Sequence, residues 1–316
     1  LVYRGIRTVT GLVGHGLGAA LSSLAPVLQR LETSGPDTPE RLQLLAVLNG
    51  VVGDRLAAQH NPLALPMTLQ WAAETGADAA AETGNHTWQP GQTLAGASGH
   101  VLLTIHGLCM NDHQWRHQGH DHGAHLAQAL GCTRLNLRYN TGLHVTDNGE
   151  ALSHLLQRWL EAWPVPVQRL SIVAHSMGGL VARSAVAAAG RLGHTWPAVL
   201  RDLVCLGTPH HGAPLERAGH WVDTWLAATP FSQPFVRLGQ LRSAGILDLR
   251  HGHVLPDGDP VTHPHTRQPR ALGRHADTRT PLPLPEGVRC FAVAATLARQ
   301  NGLLAERLTG DGLVPL

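Results

Sequence analysis

The sequence predicts an α/β protein whose mainly parallel, doubly wound sheet is flanked by helices. From Gly99 onward, short apolar runs alternate with segments that have helical spacing of apolar residues or an Ala-rich composition. Strands that alternate with helices in this way pair in parallel, because each helix carries the chain back across the sheet. One of these junctions also has the sequence of a tight strand-to-helix turn, around Ser176.

The N-terminal third of the chain predicts a helical extension followed by a linker. Residues 1–33 and 39–60 have the apolar spacing of helices. Glycine and proline recur through residues 61–98, which predicts an irregular connection to the first recognisable strand. We therefore divide the chain into an extension and linker, residues 1–98, and a core, residues 99–316.

The core elements follow one another in a regular order. The predicted strands are residues 100–105, 133–138, 170–174, 202–207 and 288–295, and the predicted helices are residues 120–130, 148–162 and 180–189. In the helix over 148–162 the leucines and Trp159 share one face, and Asp147 lies near the N-cap. This order is that of a doubly wound sheet.

The turn around Ser176 predicts a nucleophile on a strand-to-helix elbow. The run 170–174 is short, apolar and partly β-branched, and residues 180–189 favour a helix. Such a turn needs small residues two positions either side of the serine, because its backbone is strained and bulk would clash. Ala174 and Gly178 meet this requirement. The alternative is a serine that only caps the helix.

A second motif lies upstream, where strand 100–105 runs into His106-Gly107-Leu108. Stabilising the oxyanion of acyl transfer takes two preorganised backbone N–H donors. The residue after the nucleophile, Met177, is the candidate for one donor, and Leu108, in the loop after an earlier strand, is the candidate for the other. Gly107 lets the backbone approach a substrate. An ordinary strand-to-loop turn is the alternative for this segment.

A third segment, residues 203–212, begins as a buried strand and ends in Thr-Pro-His-His-Gly. Together the three segments resemble the α/β-hydrolase superfamily, in particular bacterial esterases and lipases and the deacylases of lipid-linked glycans. The resemblance covers residues 99–212 and, less closely, 286–314. It implies an α/β-hydrolase fold without a cofactor, in which His106 and His175 support the loop and the elbow and do not act as the base.

The regular alternation stops between residues 213 and 285, where the resemblance implies a cap or lid insertion. Trp221 and Trp225, with the apolar residues next to them, predict one amphipathic helix, and a stretch rich in His, Pro and Asp follows. An apolar helix here would cover an acyl-binding cleft. A helix that merely packs on the core, followed by a long loop, is the alternative.

The acid and the base of the site are expected near and beyond the C-terminus. In the superfamily the triad order is serine, acid, histidine. The loop around Asp311 resembles the loop that presents the acid in lipases, so Asp311 is the expected acid and Glu306 a poorer candidate. No histidine follows Asp311, since the last one is His275. We therefore expect the catalytic histidine and the C-terminal strand of the fold to lie beyond Leu316.

Histidines within the chain are weaker candidates for the base. His210 and His211, on the loop after strand 202–207, are the best of them. A histidine-rich stretch could instead form a structural metal site. It contains Asp121 and five histidines, His113, His117, His120, His122 and His125. We expect no metal, because loop histidines without a pattern of supporting carboxylates are usually exposed to solvent.

The composition indicates which classes of partner and which cellular compartment to expect. The net charge is +2 and no basic cluster is interleaved with aromatics, which argues against nucleic acid binding. All 24 basic residues are arginine, so no lysine is present for Schiff-base chemistry. The four cysteines lie in or beside predicted strands, which predicts buried free thiols and favours a cytoplasmic compartment. The uncharged residues 8–29 offer a membrane-associated alternative, although their glycines favour a packed helix.

These observations predict a serine esterase or lipase that acts on a small-molecule or lipid ester through an acyl-enzyme. An acyltransferase and a deacylase of lipid-linked glycans would use the same site and are the alternatives among enzymes. A hydrolase fold that binds a partner without catalysis is the alternative outside them.

Overall fold

The computed structural model describes residues 38–71, 86–92, 94, 96–210, 243–252, 254–255 and 282–294. The strands are β1 (Thr68–Trp71), β2 (His86–Thr87), β3 (His100–Ile105), β4 (Arg116–His117), β5 (His120–Asp121), β6 (Thr133–Arg138), β7 (Arg169–His175), β8 (Leu200–Leu206) and β9 (Arg289–Val293). The helices are α1 (Pro39–Ala58), α2 (His122–Leu130), α3 (Val145–Ala162), α4 (Met177–Leu192) and α5 (Ala244–His251). Residues 1–33, the predicted Trp-bearing helix and the loop around Asp311 lie outside the described residues.

The main sheet of the described residues has the order β2-β1-β6-β3-β7-β8-β9. From β6 to β9 all neighbours are parallel, whereas β1 pairs antiparallel with β6 and with β2. The predicted α/β class and its mainly parallel, doubly wound sheet are confirmed. Strands β3 and β6 have the predicted bounds: β3 is a largely apolar run, and in β6 the apolar Leu135 and Leu137 alternate with polar residues.

The sheet also extends into the segment that the sequence predicted to be an irregular connection. In β1, Thr68, Leu69 and Gln70 pair with β6, and β2 adds to the far edge of β1. These strands have four and two residues, too few to show an alternating pattern. They form because the free edge of β6 offers unpaired backbone groups, which is information that the local sequence does not contain.

Each face of the sheet has its own apolar core. The larger core joins alternate residues of β3 (Val101, Leu103 and Ile105) to apolar side chains of α1, α3, α4 and α5. On the opposite face, Leu102 and Val173 pack with Ala127 of α2. The period of two along β3 therefore divides its side chains between the two layers of helices.

Helix α5 lies within the predicted insertion and packs on the core. Its Ile246 and Leu249 are buried in the larger core. Its Asp248 accepts a hydrogen bond of 2.8 Å from the amide of Val145 and thereby caps α3. Asp147 lies in the first turn of α3, near the N-cap as predicted, although the helix begins at Val145 and the capping carboxylate comes from a distant segment. Sequence spacing could not reveal a cap supplied from so far along the chain.

Helices in the described part of the chain include none that is long and apolar enough to cross a membrane.

Candidate active site at the carboxyl ends of the central strands

The order of the strands places a crevice between β3 and β7. From β3 the chain continues to β6, towards one edge of the sheet, and from β7 it continues to β8, towards the opposite edge. In open α/β sheets the loops diverge at such a reversal and leave a crevice outside the carboxyl ends of the strands. The loop after β3 carries His106-Gly107-Leu108, and the turn after β7 carries Ser176-Met177. The fold thus brings together two segments that are far apart in the sequence.

Ser176 occupies a strained turn between β7 and α4. Its backbone angles are φ 52° and ψ −121°, outside the regions that residues other than glycine usually adopt. The turn is held by two backbone hydrogen bonds, from Ser176 N–H to Leu206 O at 2.8 Å and from Gly179 N–H to Ser176 O at 3.1 Å. Strain persists where the surroundings dictate the geometry, and such sites are usually functional.

Small residues let the two segments approach each other. A Cβ on Gly178 would lie 2.8 Å from the carbonyl oxygens of both Ile105 and His106, so this position has no room for a side chain. A Cβ on Gly107 would lie 3.1 Å from the Cβ of Ser176. Ala174, on the other side of the turn, is fully buried between its neighbours in β3 and β8.

Two backbone amides next to Ser176 are the predicted oxyanion donors. Met177 is the first residue of α4, where N–H groups have no carbonyl partner within the helix and the helix dipole favours negative charge. Leu108 follows Gly107, and the peptide between them belongs to the loop that contacts Ser176. Both side chains are buried and hold their backbone in the core.

His106 is buried under the loop and is neutral. Its Nδ1 lies 3.0 Å from the carbonyl oxygen of Gly107, which can only accept, so Nδ1 carries the proton. Burial lowers the pKa of His106 to about 4. A base at this position would have to become an imidazolium that its surroundings disfavour. His175 also lies close to this loop, since its Nδ1 would be 3.2 Å from a Cβ on Gly107.

His210, a weaker candidate for the base, has a partner that gives it the wrong tautomer. Nη1 of Arg183 lies 3.1 Å from Nδ1 of His210. A guanidinium can only donate, so Nδ1 accepts and the neutral ring carries its proton on Nε2. A triad base needs the reverse arrangement, with Nε2 free to accept the proton of the serine. His211 and Asp311 lie outside the described residues.

The histidine-rich stretch after the loop does not form a metal site in the structure. The ring of His120 lies 4.7 Å from that of His122 and 5.2 Å from that of His125. Asp121 is engaged elsewhere, because it accepts from Arg116 and Arg134 and caps α2 through the amide of Ala124. No three His, Cys, Asp or Glu side chains within the described residues are arranged to hold a metal ion.

Residues directly after β6, which were not predicted from the sequence, support the loop. Tyr139 donates from its hydroxyl to the carbonyl oxygen of His106 at 2.8 Å, and its ring stacks on the His106 ring. Thr141 Oγ1 accepts from the amide of Cys109 at 3.1 Å. The available signal was a run of polar residues at the end of a strand that is the parallel neighbour of β3.

All four cysteines lie within the described residues, none of them forms a disulfide, as predicted, and three of them are buried. Burial raises the pKa of Cys109 to about 12 and that of Cys205 to about 11. Cys109 also has a positive φ of 58° in the loop after β3. Its thiol is therefore protonated near neutral pH and serves packing.

Comparison with solved structures finds chains described as lipases and esterases. A lipase from Bacillus licheniformis in its propeptide form is 22% identical over 48% of this chain and 30% of its own, with a TM-score of 0.36. An esterase from Pyrococcus furiosus is 16% identical over 46% of this chain and 55% of its own, with a TM-score of 0.33. The chain thus spans less than two thirds of either protein. A hyperthermophilic esterase from Pyrobaculum calidifontis is 12% identical over 72% and 71% of the two chains, with a TM-score of 0.33.

No curated protein matches the sequence. The model of one family, the PGAP1-like alpha/beta domain, matches residues 96–258, which contain the loop after β3 and the turn at Ser176. This match covers more than half of the residues of the chain. The chain therefore belongs to the PGAP1-like alpha/beta domain family and has the α/β-hydrolase fold.

Proposed function

We propose that the chain is a serine hydrolase that cleaves carboxylic esters through an acyl-enzyme, with Ser176 as the nucleophile. The observation that carries this proposal is the backbone of Ser176, with φ 52° at the junction of β7 and α4. A serine that only caps a helix has no need of this strain, because capping residues adopt ordinary extended angles. A nucleophile gains from it, since the turn presents its Oγ above the sheet.

The reaction divides ester hydrolysis into two easier steps. Ser176 Oγ attacks the carbonyl carbon while a histidine takes its proton; the carbon–oxygen bond to the alcohol then breaks, and the alcohol leaves with that proton. Water next attacks the acyl-enzyme, releases the carboxylic acid and regenerates the serine. No cofactor takes part in these steps.

Two backbone amides are proposed to stabilise the oxyanion of both steps. Met177 N–H at the start of α4 is one donor, and Leu108 N–H in the loop after β3 is the other. The close approach of Gly107 to Ser176 supports this pairing, because a Cβ on Gly107 would lie 3.1 Å from the Cβ of Ser176 and Leu108 is the next residue of that loop. Removing one such donor in a known protease costs about 10²–10³ in kcat.

Asp311 is proposed to orient the histidine that serves as the base. The hydrogen bond between Arg183 and His210 argues against His210 in that role, because the tautomer it selects has no acceptor at Nε2. The positive guanidinium would also oppose the imidazolium that the reaction forms. The substrate is proposed to be a small-molecule or lipid ester.

Labelling with a fluorophosphonate tests the nucleophile in the full-length protein. We expect the probe to modify Ser176, as located by peptide mass spectrometry, and Ser176→Ala to abolish both labelling and hydrolysis of p-nitrophenyl esters. Ser171→Ala is the matched control, since Ser171 lies in β7 at the opposite end of the strand and contacts Asp202. It is expected to keep both activities.

The outcomes separate the alternatives. Hydrolysis that is indifferent to Ser176→Ala would exclude the proposed nucleophile. Failure of the wild-type protein to label or to hydrolyse any ester in a series of acyl lengths would leave a hydrolase fold used for binding. Labelling with product formed only when an alcohol acceptor is added would identify an acyltransferase.

A further inference from the structure

Helix α1, which precedes the residues matched by the family model, lies directly against the loop after β3. Its buried side chains, Leu44, Leu45, Val47, Leu48, Val51 and Leu56, belong to the same apolar core as Leu108, Cys109 and Met177. Cys109, the residue after the proposed donor Leu108, therefore packs on an element outside the family domain.

The contact between α1 and the loop depends on a glycine. A Cβ on Gly50 would clash with Sγ of Cys109 and would lie 3.1 Å from the Cα and the amide nitrogen of Cys109. Cys109 is the residue with a positive φ that follows Leu108. The surface of α1 at Gly50 thus limits where the backbone of the loop can lie.

Hydrogen bonds from two other segments hold the part of α1 that contacts Cys109. Ser243 Oγ donates to the Gly50 carbonyl oxygen at 2.6 Å, which ties α5 to α1 at the same residue. Asn140, after β6, donates from Nδ2 to the carbonyl oxygen of Gly53 at 2.9 Å. The helix is kinked at Val52, between the two glycines, so this part of α1 is shaped to its neighbours.

We propose that α1 is a positioning element for the oxyanion loop, acting through the contact of Gly50 with Cys109. This inference rests on the proposed function, because the loop matters to catalysis only if Leu108 N–H serves as an oxyanion donor. Gly50 and Cys109 are positioning residues, since they touch the loop and not the substrate. A displacement of about 1 Å in such a site costs roughly 100-fold in rate.

Three variants of the full-length protein test the contact through the kinetics of p-nitrophenyl ester hydrolysis. Gly50→Ala pushes the loop away, and we expect kcat to fall at least ~10-fold with KM within about twofold of wild type. Cys109→Gly removes the side chain that contacts Gly50 and adds no bulk, and the positive φ of residue 109 suits glycine. We expect a smaller fall of kcat, ~3-fold or more. The double variant refills the contact, so its kcat should exceed that of Gly50→Ala.

Gly190→Ala, in α4, is the matched control, because a Cβ there meets nothing within 4 Å and the residue is remote from the loop. It is expected to keep wild-type kcat. Wild-type kcat in a folded Gly50→Ala, or a double variant no faster than Gly50→Ala, would overturn the inference. If Gly50→Ala does not fold, Cys109→Gly decides alone, and full kcat in that variant would also overturn it.

Hydrogen exchange gives a readout that does not depend on activity. Amides of residues 106–112 are expected to exchange faster in Cys109→Gly and Gly50→Ala than in wild type, with no change in Gly190→Ala. If the wild-type protein hydrolyses no ester but the variants show this exchange pattern, the proposed function is refuted. The coupling of α1 to the loop then still stands. Unchanged exchange in both loop variants would refute the coupling itself.

Discussion

The hydroxyl of Tyr139 donates to the carbonyl oxygen of His106 at 2.8 Å, and the rings of the same two residues stack with centroids 4.5 Å apart. Both side chains are almost fully buried. Tyr139, at the end of β6, therefore holds the first residue of the loop after β3 in two ways. The loop that approaches Ser176 is positioned from its neighbouring strand as well as from α1.

Tyr139→Phe is expected to separate these two contributions. The ring stack remains, but a buried carbonyl group loses its donor, which costs about 1–3 kcal/mol of unfolding free energy. Tyr139→Leu also loses the stack and should cost more. Urea unfolding of both variants measures the difference, and a Phe variant as stable as wild type would show that the hydrogen bond contributes nothing.

Gly178→Ala and Gly190→Ala form a pair within α4 whose effects should have opposite signs. A Cβ at residue 178 lies 2.8 Å from two backbone oxygens of β3 and its loop, so α4 or the loop must shift. We expect a loss of about 1–3 kcal/mol in stability and a large loss of ester hydrolysis. At residue 190 the Cβ is unhindered, and alanine should stabilise the helix by about 0.5–1 kcal/mol. Thermal unfolding of the two variants checks the sign, and stabilisation by Gly178→Ala would contradict the contact.

Asp202 should make stability depend on pH below neutrality. Burial alone would raise the pKa of Asp202, but hydrogen bonds from Arg169, Ser171 and Arg289 outweigh burial, and its pKa is lowered. A carboxyl group whose pKa is lower in the folded state stabilises the fold above its unfolded pKa of about 4. That stability is lost as the pH falls through the folded pKa.

Asp202→Asn is therefore expected to cost about 1–3 kcal/mol at pH 7, with a difference from wild type that shrinks at low pH. Urea unfolding at several pH values measures this. Glu150→Gln is the control, since Glu150 forms an exposed ion pair with Arg191 at 3.4 Å and should change stability little. A constant difference between Asp202→Asn and wild type down to the lowest pH would mean that the carboxylate charge is not responsible.

The thiols should differ in their reaction with iodoacetamide at pH 8. Burial raises the pKa of Cys109 to about 12 and that of Cys205 to about 11, so neither forms an accessible thiolate. Cys290 is half-buried and should be the first of the four to react, although burial raises its pKa as well. Peptide mass spectrometry over time gives the order, and early modification of Cys109 in native protein would show that the loop after β3 opens.

The fold class and the central strands could be read from the sequence, because they depend on local patterns. Apolar runs located β3 and β7, the alternation of apolar with polar residues located β6, and small residues on either side of Ser176 located the turn. Each of these features lies within a few residues along the chain, where propensity and spacing act directly.

The support of the site was decided by the tertiary structure. Asp248 caps α3, Tyr139 holds His106, and Gly50 lies against Cys109, although each pair is widely separated in the sequence. The edge strands β1 and β2 likewise depend on the free edge of β6 more than on their own residues. Such contacts form only after the helices have packed on the sheet. The partner of a buried polar group, or of a closely approaching backbone, is the segment that tertiary packing brings next to it.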